Sequence, residues 1–271
     1  MGRRRQLENA RILVTGASQG IGRSLALFAA KRGAKVLATA RNDDLLRELS
    51  AEAAAAGYPI QIFRADVISP ADRQAMIAAM RDRFGGMDIL INNAGIGATG
   101  QFVEADEQRL RSIFEVNFFG LTELTRLAIP MLCQGITPAI VNISSIVGKR
   151  AIPGRSEYSA SKFAVQGFSE ALRGELSTDG IDVLIINPGL TQTNFPKNML
   201  ERKSRLQVDH LRGMTPDQVA EATLKAIAKG QNELTLTFQG KALVWMSRFC
   251  PRLLDWFVTR RVKQLYAASE P

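Results

Sequence analysis

Short runs of Val, Ile and Leu alternate with helical segments along most of this 271-residue chain. The runs are continuously apolar, which is typical of strands buried on both faces of a parallel sheet. Parallel strands need crossovers, and the helical segments supply them with right-handed connections. The sequence therefore predicts an α/β fold, a Rossmann-type doubly wound parallel sheet of about seven strands with helices on both faces. The predicted strands are 11–15, 35–39, 60–65, 88–92, 139–143, 181–186 and 233–237, and the predicted helices include 21–32, 45–56, 70–84, 104–132 and 157–177.

A glycine-rich turn joins the first predicted strand to the first helix. Its spacing is G-x-x-x-G-x-G, which differs from the G-x-G-x-x-G of many dehydrogenases. Glycines let the backbone approach a pyrophosphate, and the helix N-terminus offers it free N–H groups. An ordinary tight loop is the alternative, but the position between strand and helix favours a dinucleotide site. The residues assigned to this site are Gly16, Ser18, Gln19, Gly20, Ile21 and Gly22.

The end of the second predicted strand bears on which dinucleotide is bound. An acidic residue there would bind the ribose 2′-hydroxyl of NAD, whereas an arginine suits the 2′-phosphate of NADP. Arg41 follows the strand at once, and a guanidinium makes bidentate, charge-assisted contacts with phosphate. We interpret Asp43 and Asp44 as the first turn of a helix capped by Asn42, which also offers a hydrogen bond to the cofactor. The sequence therefore favours NADP(H).

Tyr158 and Lys162 are four residues apart, so on a helix their side chains share one face. A free tyrosine has a pKa of about 10, and a nearby cation is expected to lower it. A phenol with a lowered pKa can give a proton to a carbonyl oxygen or take one from an alcohol. The spacing alone is common by chance on amphipathic helices. Ser144 and Ser145 strengthen the hypothesis, because they follow a predicted strand where a hydroxyl would orient the substrate oxygen.

Taken together and in order, these motifs strongly resemble those of the short-chain dehydrogenase/reductase family. The resemblance covers about residues 11–237. It rests on Thr15-Gly-Ala-Ser-Gln-Gly-Ile-Gly22, Asp66, Asn92-Asn-Ala-Gly95, Asn117, Ser145, Tyr158, Lys162 and Pro188-Gly189. The resemblance implies an NADP(H)-dependent oxidoreductase that interconverts a carbonyl and a secondary alcohol by hydride transfer. It also implies a homodimer formed through the helices predicted at 104–132 and 157–177.

The family pattern implies catalytic roles residue by residue. Tyr158 matches the acid/base, and Lys162 matches the partner that lowers its pKa and binds the nicotinamide ribose. Ser145, in preference to Ser144, matches the serine that orients the substrate. Asn117 matches the asparagine that holds a water linking the lysine to solvent.

The pattern also implies cofactor contacts. Gln19 departs from the family pattern, because NADP-preferring members often carry Arg or Lys at this position. The choice of NADP over NAD then depends more on Arg41. The further matches are Asp66 and Val67 at the adenine, Asn93, Ala94 and Gly95 along the cofactor, and Pro188, Gly189, Thr191 and Thr193 beside the nicotinamide. Thr193 matches the threonine that commonly bonds the nicotinamide carboxamide, and Thr191 is the alternative.

Residues from about 191 to 214 form a predicted substrate lid, whose single histidine, His210, is interpreted as a surface residue. We therefore divide the chain into a Rossmann-fold domain at 1–239 and a C-terminal extension at 240–271. The predicted lid contains five apolar residues, which either face an apolar substrate or pack the lid onto the rest of the domain. They are Phe195, Met199, Leu200, Leu206 and Leu211.

The extension mixes aromatic and basic residues, which suits a helix at a membrane surface. Capping of the chain's own pocket, or of a partner subunit, is the alternative. Either arrangement favours a lipophilic substrate. The residues concerned are Trp245, Phe249, Leu253, Trp256 and Phe257 with Arg248, Arg252, Arg260, Arg261 and Lys263.

Composition narrows the remaining possibilities. The 35 basic and 26 acidic residues give a net charge of +9, but no basic run is interleaved with aromatics as in single-strand nucleic-acid binding. Cys133 and Cys250 are far apart, which predicts neither a disulfide framework nor a metal site. No signal peptide or membrane span is predicted, so a cytoplasmic protein, peripheral at most to a membrane, is expected. The alternatives kept open are a 3-oxoacyl carrier-protein reductase and a non-catalytic nucleotide-binding regulator.

Overall fold

The computed structural model describes residues 2–204 and 213–267 of the chain. Leu206, His210 and Leu211, on which part of the lid prediction depends, lie outside the described residues.

A parallel sheet of seven strands runs through the molecule, as the apolar runs predict. In chain order the strands are β1 (Arg11–Thr15), β2 (Lys35–Ala40), β3 (Gln61–Arg64), β4 (Ile89–Asn92), β5 (Ala139–Ile143), β6 (Asp182–Asn187) and β7 (Glu233–Thr235). They lie side by side in the order β3-β2-β1-β4-β5-β6-β7. The order reverses between β1 and β4, so a crevice opens there at the carboxyl ends of the strands.

Helices cover both faces of this sheet. They are α1 (Gly20–Lys31), α2 (Asp43–Ala55), α3 (Pro70–Phe84), α4 (Glu107–Phe114), α5 (Gly120–Leu132), α6 (Ser156–Glu175), α7 (Pro216–Lys229), α8 (Phe238–Phe249) and α9 (Pro251–Ala267). Within β1, Ile12 and Val14 pack on the side of α1, α2 and α7, and Leu13 packs on the side of α3, α5 and α6. This double burial explains why the strands are continuously apolar.

The segment predicted as one helix at 104–132 is interrupted. Asp106 caps the start of α4, its side chain accepting a hydrogen bond from the Arg109 N–H at 2.7 Å. A π-helical turn, Glu115–Phe119, then separates α4 from α5. The sequence carries no local signal for the wider turn, because no proline or glycine marks its start. Its position matters because it holds Asn117.

The predicted strand 233–237 is shorter than expected, because α8 begins at Phe238 with Thr237 as its cap. Two helices, α8 and α9, therefore follow the sheet, and they pack on each other. No helix in residues 2–204 and 213–267 has the length and apolar character needed to cross a bilayer.

Candidate active site

A cavity of about 940 Å³ opens at the carboxyl ends of the strands, where the strand order reverses. The predicted site residues lie in loops after β1, β2, β3, β4, β5 and β6 and on α6. All of them line this cavity except Gly22 and Asn117, which lie directly behind its wall. The topology thus brings together residues separated by up to about 180 positions in the chain.

The glycine turn forms one end of the cavity. Gly16 and Gly20 have positive φ values of 64° and 58°, a conformation that favours glycine. A Cβ on Gly22 would lie 2.3 Å from the Gly16 oxygen, so a side chain there would displace the turn. Gln19 caps α1 without a side-chain capping bond to the described residues, which leaves the first-turn N–H groups directed at the cavity.

Asn93 braces this turn from the neighbouring strand. Its side-chain Nδ2 donates to the backbone oxygens of Thr15 and Gly16, at 2.9 and 3.1 Å. The Thr15 hydroxyl in turn accepts from the Asn93 and Ala94 N–H groups at 3.0 and 3.1 Å. These bonds fix the ends of β1 and β4 relative to one another.

The opposite wall of that end carries Arg41, Asn42 and Asp66. Arg41 is exposed and makes no ion pair or hydrogen bond with any described residue. Asn42 caps α2 as predicted, its Oδ1 accepting from the Leu45 N–H at 3.0 Å. Asp43 forms an ion pair with Arg47 at 2.6 Å, one helical turn further on. Of the charged residues predicted here, Arg41 and Asp66 are the two that line the cavity.

Tyr158, Lys162 and Ser145 meet in the middle of the cavity. The Lys162 ammonium lies 5.8 Å from the centre of the Tyr158 ring and donates a 2.9 Å hydrogen bond to the Ile143 oxygen. Ser145 hydrogen-bonds the Tyr158 phenol. The Ser144 hydroxyl instead donates to the Lys162 backbone oxygen at 3.2 Å. Of the two serines, Ser145 is therefore the one directed at the phenol, and its role in catalysis stays a prediction.

Burial shifts the pKa values of both Tyr158 and Lys162. It raises the pKa of Tyr158 to about 12, against the opposite effects of the Arg155 charge and of the Ser145 hydrogen bond. It also lowers the pKa of Lys162 to about 8. The expectation that Lys162 lowers the pKa of the phenol is wrong for the protein alone, because desolvation outweighs charge and the cation that acts on Tyr158 is Arg155.

Asn117 lies in the π-helical turn, fully buried behind Lys162. Its Oδ1 accepts from the Ile96 N–H at 2.8 Å, and its Nδ2 donates to the Ile96 oxygen and the Ser161 hydroxyl, at 2.9 and 3.0 Å. It thereby ties the loop after β4 to α6. The wider turn brings Asn117 close to Lys162, since the Asn117 Oδ1 and the Lys162 Nζ lie 3.2 and 3.7 Å from where a Cβ on Gly95 would stand.

The start of the lid lies against the catalytic centre. Phe195 contacts the Tyr158 ring, with the centroids 5.6 Å apart. Thr193 touches the glycine turn, since a Cβ on Gly20 would lie 3.2 Å from its Cγ2. Thr191 pairs with Met214, which joins the two ends of the lid. Met199 and Leu200 do not line the cavity, and Leu200 is 47% exposed.

Sequence reasoning missed several lining residues. Ile152 and Arg155 line the cavity just before Tyr158, and Gln239, Gly240 and Leu243 reach it from α8. Part of the C-terminal extension thus covers the chain's own pocket, one of the two alternatives left open. No local pattern marks these residues, because their position depends on how α8 packs after β7.

The cavity and its residues can be compared with known proteins. Residues 10–204 match the family model described as short chain dehydrogenase. The mouse protein "Dehydrogenase/reductase SDR family member 7B" is 35% identical over 267 residues, covering 95% of this chain and 83% of the relative. A sesame protein named "11-beta-hydroxysteroid dehydrogenase A" is 32% identical over 271 residues, covering 96% of this chain and 77% of the relative.

Solved structures show the same fold. A short chain dehydrogenase/reductase from Burkholderia phymatum, in complex with NAD, superposes with a TM-score of 0.83 at 25% identity, over 92% of this chain and 96% of that chain. An alcohol dehydrogenase from Thermococcus sibiricus, complexed with 5-hydroxy-NADP, gives a TM-score of 0.73 at 24% identity, over 83% and 94%. The chain belongs to the short-chain dehydrogenase/reductase family of oxidoreductases, which act on CH–OH groups.

Proposed function

We propose that this protein is an NADP(H)-dependent oxidoreductase that interconverts a ketone and a secondary alcohol on a lipophilic substrate. The observation that carries the proposal is the convergence of Ser145, Tyr158 and Lys162 in one cavity with the glycine turn. The intact set argues for catalysis over a purely regulatory role.

The cavity fits a dinucleotide. Gly16 and Gly20 line the cavity with their backbone, and the open N–H groups of α1 beside them suit a pyrophosphate. Asp66 and Val67 line the end assigned to the adenine, and Asn93, Ala94 and Gly95 line the connecting wall. Lys162 is placed to bind the nicotinamide ribose, and Pro188, Gly189, Thr191 and Thr193 to enclose the nicotinamide. When bound, the cofactor supplies or accepts the hydride.

The protein's own residues handle the proton. With a pKa of about 12, the Tyr158 phenol is protonated at neutral pH and is ready to donate to the carbonyl oxygen as reduction proceeds. Ser145, hydrogen-bonded to the phenol, offers a second donor to that oxygen. Asn117 acts as a positioning residue, because it holds the Ile96 backbone and Ser161 around Lys162. Phe195 and Leu243 border the cavity and restrict the entry of water.

NADP(H) is the cofactor that the charges favour. Arg41 lines the cavity free of any partner among the described residues, so its guanidinium is available to a 2′-phosphate. The nearest competing acid, Asp43, is engaged with Arg47. The Gln19 side chain lines the same end and supplies a hydrogen bond where a second cation is lacking.

Cofactor titration tests this function. NADPH and NADH are titrated side by side against the full chain, following nicotinamide fluorescence. Arg41→Ala is expected to weaken NADPH binding by about 10- to 100-fold, the value of a charged hydrogen bond, and to leave NADH binding unchanged. Arg81→Ala, which removes a cation that is 68% exposed on α3, serves as the charge-matched control. Tighter binding of NADH would reject the cofactor assignment, and binding of neither would reject the function.

The walls near Tyr158 support a lipophilic substrate. Ile146, Val147, Ile152, Phe195 and Leu243 line this part of the cavity. Apolar walls with few polar groups are typical of sites for apolar ligands. A turnover screen with NADPH should therefore find long-chain or polycyclic ketones among the substrates, and turnover of polar sugars alone would contradict the assignment.

A homodimer is proposed through α4, α5 and α6. Phe119 and Phe163 are 48% and 44% exposed on the face of the π-helical turn and α6. Exposed aromatic rings on neighbouring helices favour an interface between copies. Analytical ultracentrifugation of the full chain tests this, and a monomer at micromolar concentration would contradict it.

Membrane contact is proposed for α8 and α9, where the exposed aromatic residues are Trp245, Phe249, Leu253, Trp256 and Phe257. Exposed arginines stand beside them, including Arg260, whose guanidinium lies over the Trp256 ring at 5.3 Å. Aromatic and basic groups together suit an anionic lipid surface.

A further inference from the structure

The cavity contains a third cation that is assigned neither to the cofactor nor to a proton-transfer step, although its charge acts on the Tyr158 phenol. Of the described residues that line the cavity, three are cationic, namely Arg41, Arg155 and Lys162. Arg41, at the adenosine end, is assigned to the 2′-phosphate of the cofactor, and Lys162, beside the Tyr158 phenol, is assigned to the nicotinamide ribose. Arg155 is only 9% exposed, yet its side chain makes no hydrogen bond or ion pair with any residue in 2–204 or 213–267. Since buried cations are ordinarily paired, this one requires an explanation.

Within residues 2–204 and 213–267, no carboxylate is available to pair with it. Asp66 is the only acidic residue among the described residues that line the cavity, and it lies at the adenine end. Glu157, the neighbour of Tyr158, is instead bound to Arg109 at 2.5 Å and to the Ser156 hydroxyl at 2.8 Å. The described part of the chain thus supplies no anion for Arg155, whose side chain lines a cavity that a small molecule can enter.

The position of Arg155 on α6 indicates which molecule. Arg155 caps the helix three residues before Tyr158, and Lys162 follows Tyr158 by four residues, so all three share one face. Lys162 lies on the side of Gly95, along the wall assigned to the cofactor. Arg155 therefore lies on the other side of the phenol, together with Ile152, where a substrate would extend.

We propose that Arg155 binds an anionic group of the substrate, a carboxylate or a phosphate monoester, held close to the reacting carbonyl. The inference rests on the proposed function and deepens it. Residues three apart on a helix have Cβ atoms about 5–6 Å from each other, so the anion lies within a few bonds of the ketone. The apolar walls then accept the remaining chain, and the substrate is an amphipathic keto acid or keto phosphate.

Matched substrates test the proposal. The probes are 4-oxodecanoate, its methyl ester, and a ketone of equal length that carries a phosphate monoester in place of the carboxylate, each with saturating NADPH. The wild-type protein is expected to prefer at least one anion over the ester by about 10- to 100-fold in kcat/KM. The preferred anion identifies the group. No preference for either anion overturns the proposal.

Variants isolate the guanidinium. Arg155→Met should abolish the preference, mainly through KM, because kcat/KM should fall by about 10- to 100-fold more for the anion than for the ester. Arg155→Lys should retain part of the preference, and Arg81→Met on the surface should retain all of it. Equal losses on anion and ester would mean that Arg155 acts only through Tyr158, and a weaker NADPH affinity would place it on the cofactor; either result overturns the proposal.

A binding measurement keeps the proposal separate from the catalytic assignment. Decanoate cannot be reduced, and calorimetry on the NADPH-loaded protein should show that Arg155→Met weakens its binding by about 10- to 100-fold. If decanoate binds in this way while no ketone turns over, the proposed function fails and the anion site stands. If ketone esters turn over while decanoate binds both proteins equally, the function stands and the anion site fails.

Thermal unfolding excludes a structural role. Removing a buried cation that has no partner among the described residues relieves a desolvation penalty, so Arg155→Met should melt at the wild-type Tm or above it. A lower Tm together with equal losses on all probes would make Arg155 a structural residue and overturn the proposal.

Discussion

At the scale of single residues, desolvation decides the chemistry of the site more than charge does. Tyr158 has a pKa of about 12 and Lys162 a pKa of about 8, so burial shifts each group toward its neutral form. For a proton donor in ketone reduction this is useful, because the phenol stays protonated over the whole neutral range. The protonated phenol is the form that can donate to a carbonyl oxygen, whereas oxidation of an alcohol needs a group that can accept the proton.

Removing the phenol hydroxyl tests the role of Tyr158. Tyr158→Phe should lower kcat by about 10²- to 10⁴-fold, the usual contribution of general acid catalysis. NADPH affinity should change by less than about threefold, because the ring remains. Tyr58→Phe, at a half-buried tyrosine packed against the core away from the cavity, is the control and should keep kcat. Unchanged turnover in Tyr158→Phe would show that another group donates the proton.

A pH profile tests the state of Lys162. The lowered pKa of about 8 means that the ammonium is present below pH 8 and is lost as the pH rises through that value. Because kcat/KM reports groups on the free enzyme, kcat/KM for NADPH should decline above pH 8. Lys162→Arg, which stays charged, should have lower activity but no decline in this range. A wild-type profile that stays level to pH 9.5 would refute this titration.

At the scale of secondary-structure elements, one buried arginine connects α4, α6 and the predicted lid. Arg109 of α4 binds Glu157 of α6 through its Nε at 2.9 Å and Glu201 of the lid through its Nη1 at 2.7 Å. Burial alone would raise the pKa of Glu157, but its hydrogen bonds lower it, so the carboxylate stays charged. The lid is therefore fixed to the element that carries Tyr158.

Breaking this cluster should be costly. Arg109→Met leaves the Glu157 carboxylate buried and unpaired, and the free energy of unfolding should fall by about 3–5 kcal/mol. Arg111→Met on the same helix breaks a pair with Glu107 whose side chains are 68% and 73% exposed, and should cost no more than about 1 kcal/mol. Urea unfolding of both variants measures the difference. Equal losses of unfolding free energy in the two variants would show that the buried cluster stabilises the protein no more than an exposed ion pair does.

At the scale of the whole molecule, α8 forms part of a wall of the cavity, and α8 and α9 together carry an exposed aromatic surface. Leu243 and Gln239 face the cavity, whereas Trp245 and Trp256 are 59% and 52% exposed. Arg150 forms an ion pair with Asp255 at 2.5 Å, which ties α9 to the loop before the catalytic helix. A surface that bound lipid through these helices would thus lie close to the substrate entrance.

Tryptophan fluorescence tests membrane contact directly, because the chain's two tryptophans both lie on this surface. Vesicles containing phosphatidylserine should shift the emission to the blue and co-sediment with the protein, and salt should weaken both effects. Vesicles of phosphatidylcholine alone should bind less. Arg260→Glu combined with Arg261→Glu should reduce binding, whereas the distant Arg81→Glu should not. An unchanged spectrum with anionic vesicles would exclude the contact.

The sequence by itself determined the sheet and predicted the residues that line the cavity. Local periodicity specifies strands and helices, and the ends of parallel strands meet at one edge, so Gly16, Arg41 and Ser145 could be placed together from the residues alone. Asp66, Asn93 and Pro188 entered through the family resemblance, and they line the same cavity. Asn42 as a helix cap follows from short-range chemistry in the same way.

Only the tertiary structure decided the pKa values, the π-helical turn and the far wall of the cavity. Burial depends on which elements pack over a group, so the sequence predicted the wrong direction for Tyr158. The turn that carries Asn117 and the approach of α8 also depend on long-range packing. Arg155 is the clearest case, since an arginine before a helix is unremarkable in a sequence, and only its burial, with no ion pair to a residue in 2–204 or 213–267, draws attention to it.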